Sequence, residues 1–558
     1  MRTLQIAHYP YPSRRMPVLA SRGVVATSEP LAAQAGLRIL QKGGNAVDAA
    51  IATAIALVVV EPTATGIGSD AFGLVWDGSK LHGLNGSGRS SASLTLEHVR
   101  RLGVSKIPTR GWLPVTVPGG PAAWRDMHAR FGRLPFEVLF EPAIEYAEHG
   151  FPVAPVTADR WASAARIYAE AAIDAPELRA WGETFTFGGR APAAGEVWSS
   201  RDLARTLRLL AESGANDFYS GTLAAQIADF AAATGGLLTR ADLAAHESSW
   251  VEPVSTTYRG HEVWELPPNT QGIAALSALA ILDQVDLAKY PRESVESYHL
   301  QIEAMKLAMA DMQRYVADPG EPHARWRWMI DREYAKSRLG RIGHEALIPE
   351  PGQPFEKGTV YLAVADGDGM MVSFIQSNYS GWLLGFGSGV VVPQTGIALH
   401  SRGCAFSLDP AHPNVVAPNK RPFHTLAPAF LTCGGEAVGP FGVMGGPMQP
   451  QGHVQLMVNQ LDYGMNPQTS LDAPRWQWTR EREVEVELSV PSHVLSGLAA
   501  RGHILNPRIE FEVAVPQPDV VGLVGRGDFG KGQIIRRLKS GVYVAGSEPR
   551  SDGCAVGY

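Results

Sequence analysis

Between residues 348 and 376 the chain changes character, and that change limits the folds open to it. The segment Ile348 to Gly358 (IPEPGQPFEKG) holds three prolines and two glycines and reads as an exposed irregular loop. Thr359 to Asp366, the turn Gly367-Asp368-Gly369, and Met370 to Gln376 then read as two strands joined tightly. Before the loop, residues 120–340 are mostly helical in pattern. Helices are expected at Ala122–Arg130, Ala143–Glu148, Asp202–Ser213, Gly221–Thr234 and Val295–Tyr315. Near the start, two helices, Leu31–Lys42 and Ala49–Val60, precede a strand pair at Phe72–Trp76 and Leu81–Leu84. Further strands are expected at Gly389–Val392 and Ala429–Thr432, and a helix at Gln451–Leu461. Runs of helices with runs of strands imply an α+β fold, with helices layered on antiparallel sheets.

Composition bounds the function classes. The chain has 558 residues, 45% of them hydrophobic and 19% charged, as in ordinary globular proteins. A formal net charge of −6 gives no electrostatic reason to expect nucleic acid or an anionic membrane as partner. The three cysteines, Cys404, Cys433 and Cys554, form no C-x-x-C pair, and their odd number argues against a disulfide framework. The first 23 residues hold no apolar run of the length a secretory signal needs, and no apolar stretch reaches the roughly 20 residues of a membrane helix. A cytoplasmic location is the resulting expectation. Oligomeric state is left open.

Several long stretches, in order along the chain, carry a resemblance. They are Gly23 to Gly36 with Gly43 to Ala50, Val60-Glu61-Pro62 to Gly68, Pro418 to Pro422, Met444-Gly445-Gly446, Leu471 to Arg475, and Pro549-Arg550 to Tyr558. The chain resembles the gamma-glutamyltranspeptidase family. That resemblance implies the four-layer αββα sandwich of N-terminal-nucleophile hydrolases. It also implies a precursor that cuts itself before a threonine, here at Gly358–Thr359, leaving fragments 1–358 and 359–558 that remain associated as one αββα unit.

The chemistry of such a threonine is simple. A hydroxyl is a poor nucleophile until a base takes its proton. An α-amine with a pKa of roughly 7.7–8.0 is partly free near neutral pH. Cleavage before Thr359 would create base and nucleophile on one residue. The resemblance further assigns the oxyanion donors to the backbone N–H groups of Gly445 and Gly446, and a second hydroxyl beside the nucleophile to Ser377. A small amide or peptide is the implied substrate, hydrolysed or used as an acyl donor, with no cofactor and no metal.

The glutamyl-binding positions depart from the family pattern. The carboxylate-binding arginine falls at Ser87, with Arg89 two residues away. The other positions fall at Tyr379, Arg402, Ala405, and the pair His424 and Thr425. Ala405 stands where an aspartate would pair with the substrate's α-ammonium, and a buried charge stripped of its partner costs on the order of 3–5 kcal/mol. The acyl group is expected to be gamma-glutamyl-like or, as the loss at Ala405 favours, one with a carboxylate but no α-amine, held by Arg402, Arg89 and His424. The stretch Tyr379 to Phe386 is about four residues longer than the family's equivalent, adding a tryptophan and two leucines.

Three rival chemistries find little support. Gly66-Ile-Gly68-Ser-Asp-Ala71 matches G-x-G-x-x-A, but a helix precedes it and a strand follows, the reverse of a dinucleotide site. The sixteen histidines show no H-E-x-x-H spacing, and no G-x-S-x-G is present. A non-enzymatic alternative is a member that never matures and serves as a binding protein.

Overall fold

The computed structural model describes residues 15–322, 326–350, 360–379, 385–508, 512–513, 523–524 and 529–558. Two seven-stranded sheets form its centre. In spatial order the first runs Cys554–Gly557, Gly23–Thr27, Val360–Asp366, Met371–Ser377, Asp70–Trp76, Leu81–Asn85 and Ser249–Val251. The second runs Val18–Ala20, Tyr543–Ser547, Lys531–Arg537, Glu436–Met444, Ala429–Cys433, His261–Glu265 and Val254–Tyr258. All pairings within both sheets are antiparallel. Segments on either side of position 359 supply strands to both sheets.

Side-chain alternation shows how the layers stack. A strand turns successive side chains to opposite faces. Along Val360–Asp366, Tyr361, Ala363 and Ala365 enter the core between the sheets with Phe430, Met444 and Ile535. Val360, Leu362 and Val364 point the other way, into a core shared with the helices Pro30–Gln41 and Ala46–Val60. The far face of the second sheet, through Val263, Leu431, Phe441 and Val443, packs on the helices Ile273–Leu282, Val295–Tyr315 and Met448–Met457. The fold is therefore a four-layer αββα sandwich.

Local sequence explains the two front helices. Pro30 opens the first, and the Glu29 carboxylate accepts from the Ala32 N–H. Asn45 caps the second in a reciprocal box with Asp48, so this helix begins at Ala46 rather than at the expected Ala49. All fifteen residues of Ala46–Val60 are buried, as its lack of a polar face requires. The expected strand pair at Phe72 and Leu81 is present, begun two residues earlier at Asp70. Val295–Tyr315 has the expected bounds, whereas the Gln451 helix starts at Met448 and ends in a π turn over Val458–Asp462. No helix among the described residues is long and apolar enough to cross a membrane.

Candidate active site

The strand that follows the expected nucleophile begins at Val360, whose register partner is Gln376. Thr359 and Gly358 themselves lie outside the described residues. Ser377 is the next residue along the partner strand, is buried, and stands opposite Asp70 on its other side. Its hydroxyl accepts from the Tyr379 N–H at 2.9 Å. Tyr379 has a φ of 39°, a left-handed conformation that a bulky residue adopts at a cost and that clusters at functional sites.

The Tyr379 ring lies against Arg402, with the guanidinium carbon 3.6 Å from the ring centroid. Arg402 opens a short 3-10 turn, Arg402–Ala405, and is 1% exposed. Its Nη2 donates to Thr425 Oγ1 at 2.9 Å, while Nε and Nη1 have no partner among the described residues. Burial lowers the pKa of this guanidinium. A buried guanidinium with two idle donors is costly in an empty site, because each unmade bond leaves its desolvation uncompensated.

A carboxylate that sequence reasoning did not single out organises the surroundings. Asp70 is buried; Oδ1 accepts from the N–H groups of Gly88 (3.1 Å) and Gly119 (3.2 Å), and Oδ2 lies 3.1 Å from His424 Nε2. His424 Nδ1 accepts from the Leu426 N–H, so Nε2 carries the proton and donates to Asp70. His400 repeats the pattern: its Nδ1 accepts from the Arg402 N–H, and Nε2 stands 3.6 Å from Asp70 Oδ1. Burial holds both imidazoles neutral, pushing His400 down to about 3 and His424 well below its ordinary value. Burial also pushes Asp70 up to about 7, against the pull of the Gly88 N–H and of Arg402. His424 is thus a neutral ring committed to Asp70, not a free cation facing a ligand.

The glycine pair sits where the Glu436–Met444 strand meets the Met448–Met457 helix. Gly445 has a φ of 134° and Gly446 of 57°, both in the region that favours glycine. A Cβ at Gly445 would come 3.0 Å from the Gly530 Cα. Their carbonyls accept from Met448 and Gln449 at the helix start. Gln271 Nε2 donates at 2.7 Å to both the Gly446 and the Thr425 carbonyl, binding this turn to the Arg402 partner. Buried Lys531, the register partner of Met444, pairs with Glu61 at 3.2 Å just behind it.

The remaining expected residues fall farther out. Arg89 is half-exposed and donates to Asp318 and to the Asn419 carbonyl, while buried Arg421 reaches the Ser87 carbonyl instead. Ala405 is buried, and its carbonyl accepts from Asn414 Nδ2. The Trp382, Leu383 and Leu384 of the long insertion lie outside the described residues. Phe386 packs as core among Trp161, Trp181 and Phe185, with ring centroids 4.7–5.4 Å apart.

Among the described residues, one group, His299, Glu303 and His503, has the donor set for a metal ion. Its chemistry argues against one. Lys306 Nζ already lies 2.7 Å from Glu303 Oε1, so the carboxylate has a resident cation, and His503 Nε2 lies 2.9 Å from His299 Nδ1.

Asp70, His400 and Gln271 were not legible in the sequence. Asp70 stood only inside the G-x-G-x-x-A match, and its role depends on two histidines more than 300 residues away.

Comparison with known proteins adds the family. The gamma-glutamyltranspeptidase family model matches residues 32–558. The glutathione hydrolase-like YwrD proenzyme of Bacillus subtilis is 37% identical, covering 97% of this chain and 99% of that protein. The oxamate amidohydrolase proenzyme of Klebsiella pneumoniae is 33% identical over the same shares. The crystal structure of a cephalosporin acylase from Bacillus halodurans superposes with a TM-score of 0.91 at 51% identity, covering 99% of this chain and 98% of that one. An αββα sandwich, a glycine pair at a strand–helix junction and collinear likeness over nearly the whole length together place this chain in the gamma-glutamyltranspeptidase family, whose members are amide hydrolases and acyltransferases with an N-terminal nucleophile.

Proposed function

We propose that the precursor cuts itself between Gly358 and Thr359, and that the enzyme then hydrolyses a small amide whose acyl group carries a carboxylate and no α-amine. The Thr359 hydroxyl attacks the amide carbonyl while its own α-amine takes the proton. The amine leaves with a proton returned by that group, and water opens the acyl-enzyme. The N–H groups of Gly445 and Gly446, at a helix start, receive the charge that develops on the carbonyl oxygen. Ser377 supplies a hydroxyl beside the nucleophile's strand. The two fragments stay joined because each contributes strands to both sheets. Neither a membrane nor a nucleic acid takes part.

The observation that carries this reading is Arg402, buried with Nε and Nη1 unpartnered. An anionic group supplies what both atoms lack, in the forked geometry that suits a carboxylate. Asp70, an acid that acts on this guanidinium, is already occupied by two backbone N–H groups and His424, so it is not left over for an ammonium. Relatives named oxamate amidohydrolase and cephalosporin acylase fit an amidohydrolase with an acyl group of this kind.

The test has two parts. Mass spectrometry of the purified protein should find a fragment beginning Thr359-Val360-Tyr361, and Thr359→Ala should leave one 59.9 kDa chain. In a panel of p-nitroanilides, glutaryl and oxamyl compounds should turn over and γ-glutamyl should not. Robust γ-glutamyl turnover with the other two inert would overturn the acyl assignment.

A further inference from the structure

Asp70 stands between the two histidines that flank the Arg402–Thr425 pair. It opens the strand Asp70–Trp76, in the part of the chain before residue 359. The groups it orders, His400 with Arg402 and His424 with Thr425, come after that position. Resting on the proposed acyl assignment, we infer that Asp70 is the positioning residue of the acyl pocket: by accepting from His424 and facing His400 it fixes the guanidinium of Arg402 and the hydroxyl of Thr425 where a substrate carboxylate docks.

Each arm is explicit. The His424 ring is held by Asp70 at Nε2, by the Leu426 N–H at Nδ1, and edge-on by Phe72, with ring centroids 4.7 Å apart. Its backbone N–H donates to the Asn269 carbonyl at 2.9 Å. The adjoining Thr425 is thereby fixed, and its Oγ1 is the one acceptor that Arg402 has. On the other arm, His400 donates its backbone N–H to Gly68 and accepts the Arg402 N–H. That bond sets where the arginine leaves the main chain. The ring nitrogen opposite it stands 3.6 Å from Asp70 Oδ1 and 3.5 Å from Thr116 Oγ1. Rotation of either imidazole would move a donor that the ligand needs, and forked recognition tolerates little displacement.

A plainer role is also open to Asp70, as a cap for the Gly88 and Gly119 N–H groups. Asp70→Asn separates the two. The amide oxygen still accepts from both glycines, but its NH2 then faces the His424 Nε2–H, donor against donor. If Asp70 positions the pocket, Asp70→Asn should raise KM for glutaryl-p-nitroanilide at least tenfold while kcat falls less than threefold. For butyryl-p-nitroanilide, which lacks the carboxylate, kcat/KM should fall less than threefold. Unchanged KM for the glutaryl compound, or equal losses on both substrates, would overturn the inference. Should that variant fail to mature into two bands, His424→Ala cuts the same link from the other side and should give the same split. Arg402→Gln tells the two claims apart. If it spares the glutaryl preference, the acyl assignment fails. If it abolishes the preference while Asp70→Asn and His424→Ala do not, only the positioning role falls.

Discussion

Two buried arginine sites in this protein are built in opposite ways. Around Arg475 and Arg550 the guanidinium groups are neutralised by Glu548 and Glu487. Arg550 contacts Glu487 through Nε and Nη2 and Glu548 through Nη1, and Arg475 contacts Glu548 through Nη2. The backbone carbonyls of Leu471, Phe529 and Gly530 take further donors. At Arg402 the guanidinium is equally buried, but among the described residues one hydroxyl and one aromatic ring hold it, and two nitrogens stay idle. A buried charge is tolerated when its bonds are complete. The first site is complete within the protein, and it ties together segments 471–487 and 529–550. The second has donors that no described residue completes, and it is the feature on which the proposed acyl pocket rests.

The largest expected effect tests the paired site. Glu487→Ala strips two guanidinium bonds from Arg550 and the bond to the Arg475 N–H. It should cost about 3–5 kcal/mol in denaturant unfolding, or prevent folding. A loss below 1 kcal/mol would erase the distinction drawn here. Next, Arg402→Gln should lower kcat/KM for the carboxylate-bearing amide by about 1.5–3 kcal/mol, the range for a hydrogen bond to a charged group. Its melting temperature should fall far less than that of Glu487→Ala, since no carboxylate loses a hydrogen bond. A melting temperature lowered as far as by Glu487→Ala would make Arg402 structural.

A smaller effect is one of pH. The carboxyl of Asp70 is raised to about 7 in the folded protein from an ordinary value near 4. Its favourable contribution is therefore full at low pH and is lost as pH rises through about 7. His400 and His424 stay neutral across that window in the folded state. The stability of Asp70→Asn relative to the parent should thus increase between pH 5 and pH 8, by at most about 1.4 kcal/mol per pH unit for one proton. Urea unfolding at the two pH values reads it, and a flat or reversed difference would deny the burial effect. Glu548 should behave oppositely, because its pKa is lowered beside Arg475 and Arg550. Its contribution is present above the ordinary carboxyl range and fades on acidification. The smallest effect belongs to exposed pairs such as Arg240–Asp229, where both side chains are mostly solvated. Arg240→Ala should change stability by roughly 0–1 kcal/mol, and a larger loss would mean that solvent screens this surface less than supposed.

The difference between the arginine sites was only half visible in the sequence. Arg402 was singled out because it replaces a family residue, and the absent aspartate at Ala405 pointed to an acyl group without an amine. The structure brings Arg402 and Thr425 into contact. At Arg89 the geometry is less direct, since its guanidinium is shared between Asp318 and the Asn419 carbonyl. His424 also changes character, from an assumed carboxylate partner to a neutral link to Asp70. Nothing local to His424 reveals this, because its state is set by a carboxylate 354 positions away and by full burial.

The sequence by itself determined the layers and the chemistry class. Apolar strand runs on either side of the Gly367-Asp368-Gly369 turn, apolar helices with capping signals, and a long collinear likeness are properties of neighbouring residues, which a linear text records. Only the tertiary structure decided which charges are satisfied. Hydrogen bonding and desolvation depend on distances between atoms that the chain brings together from far apart, so the idle donors of Arg402 and the Asp70 link exist only once the sheets have closed on each other.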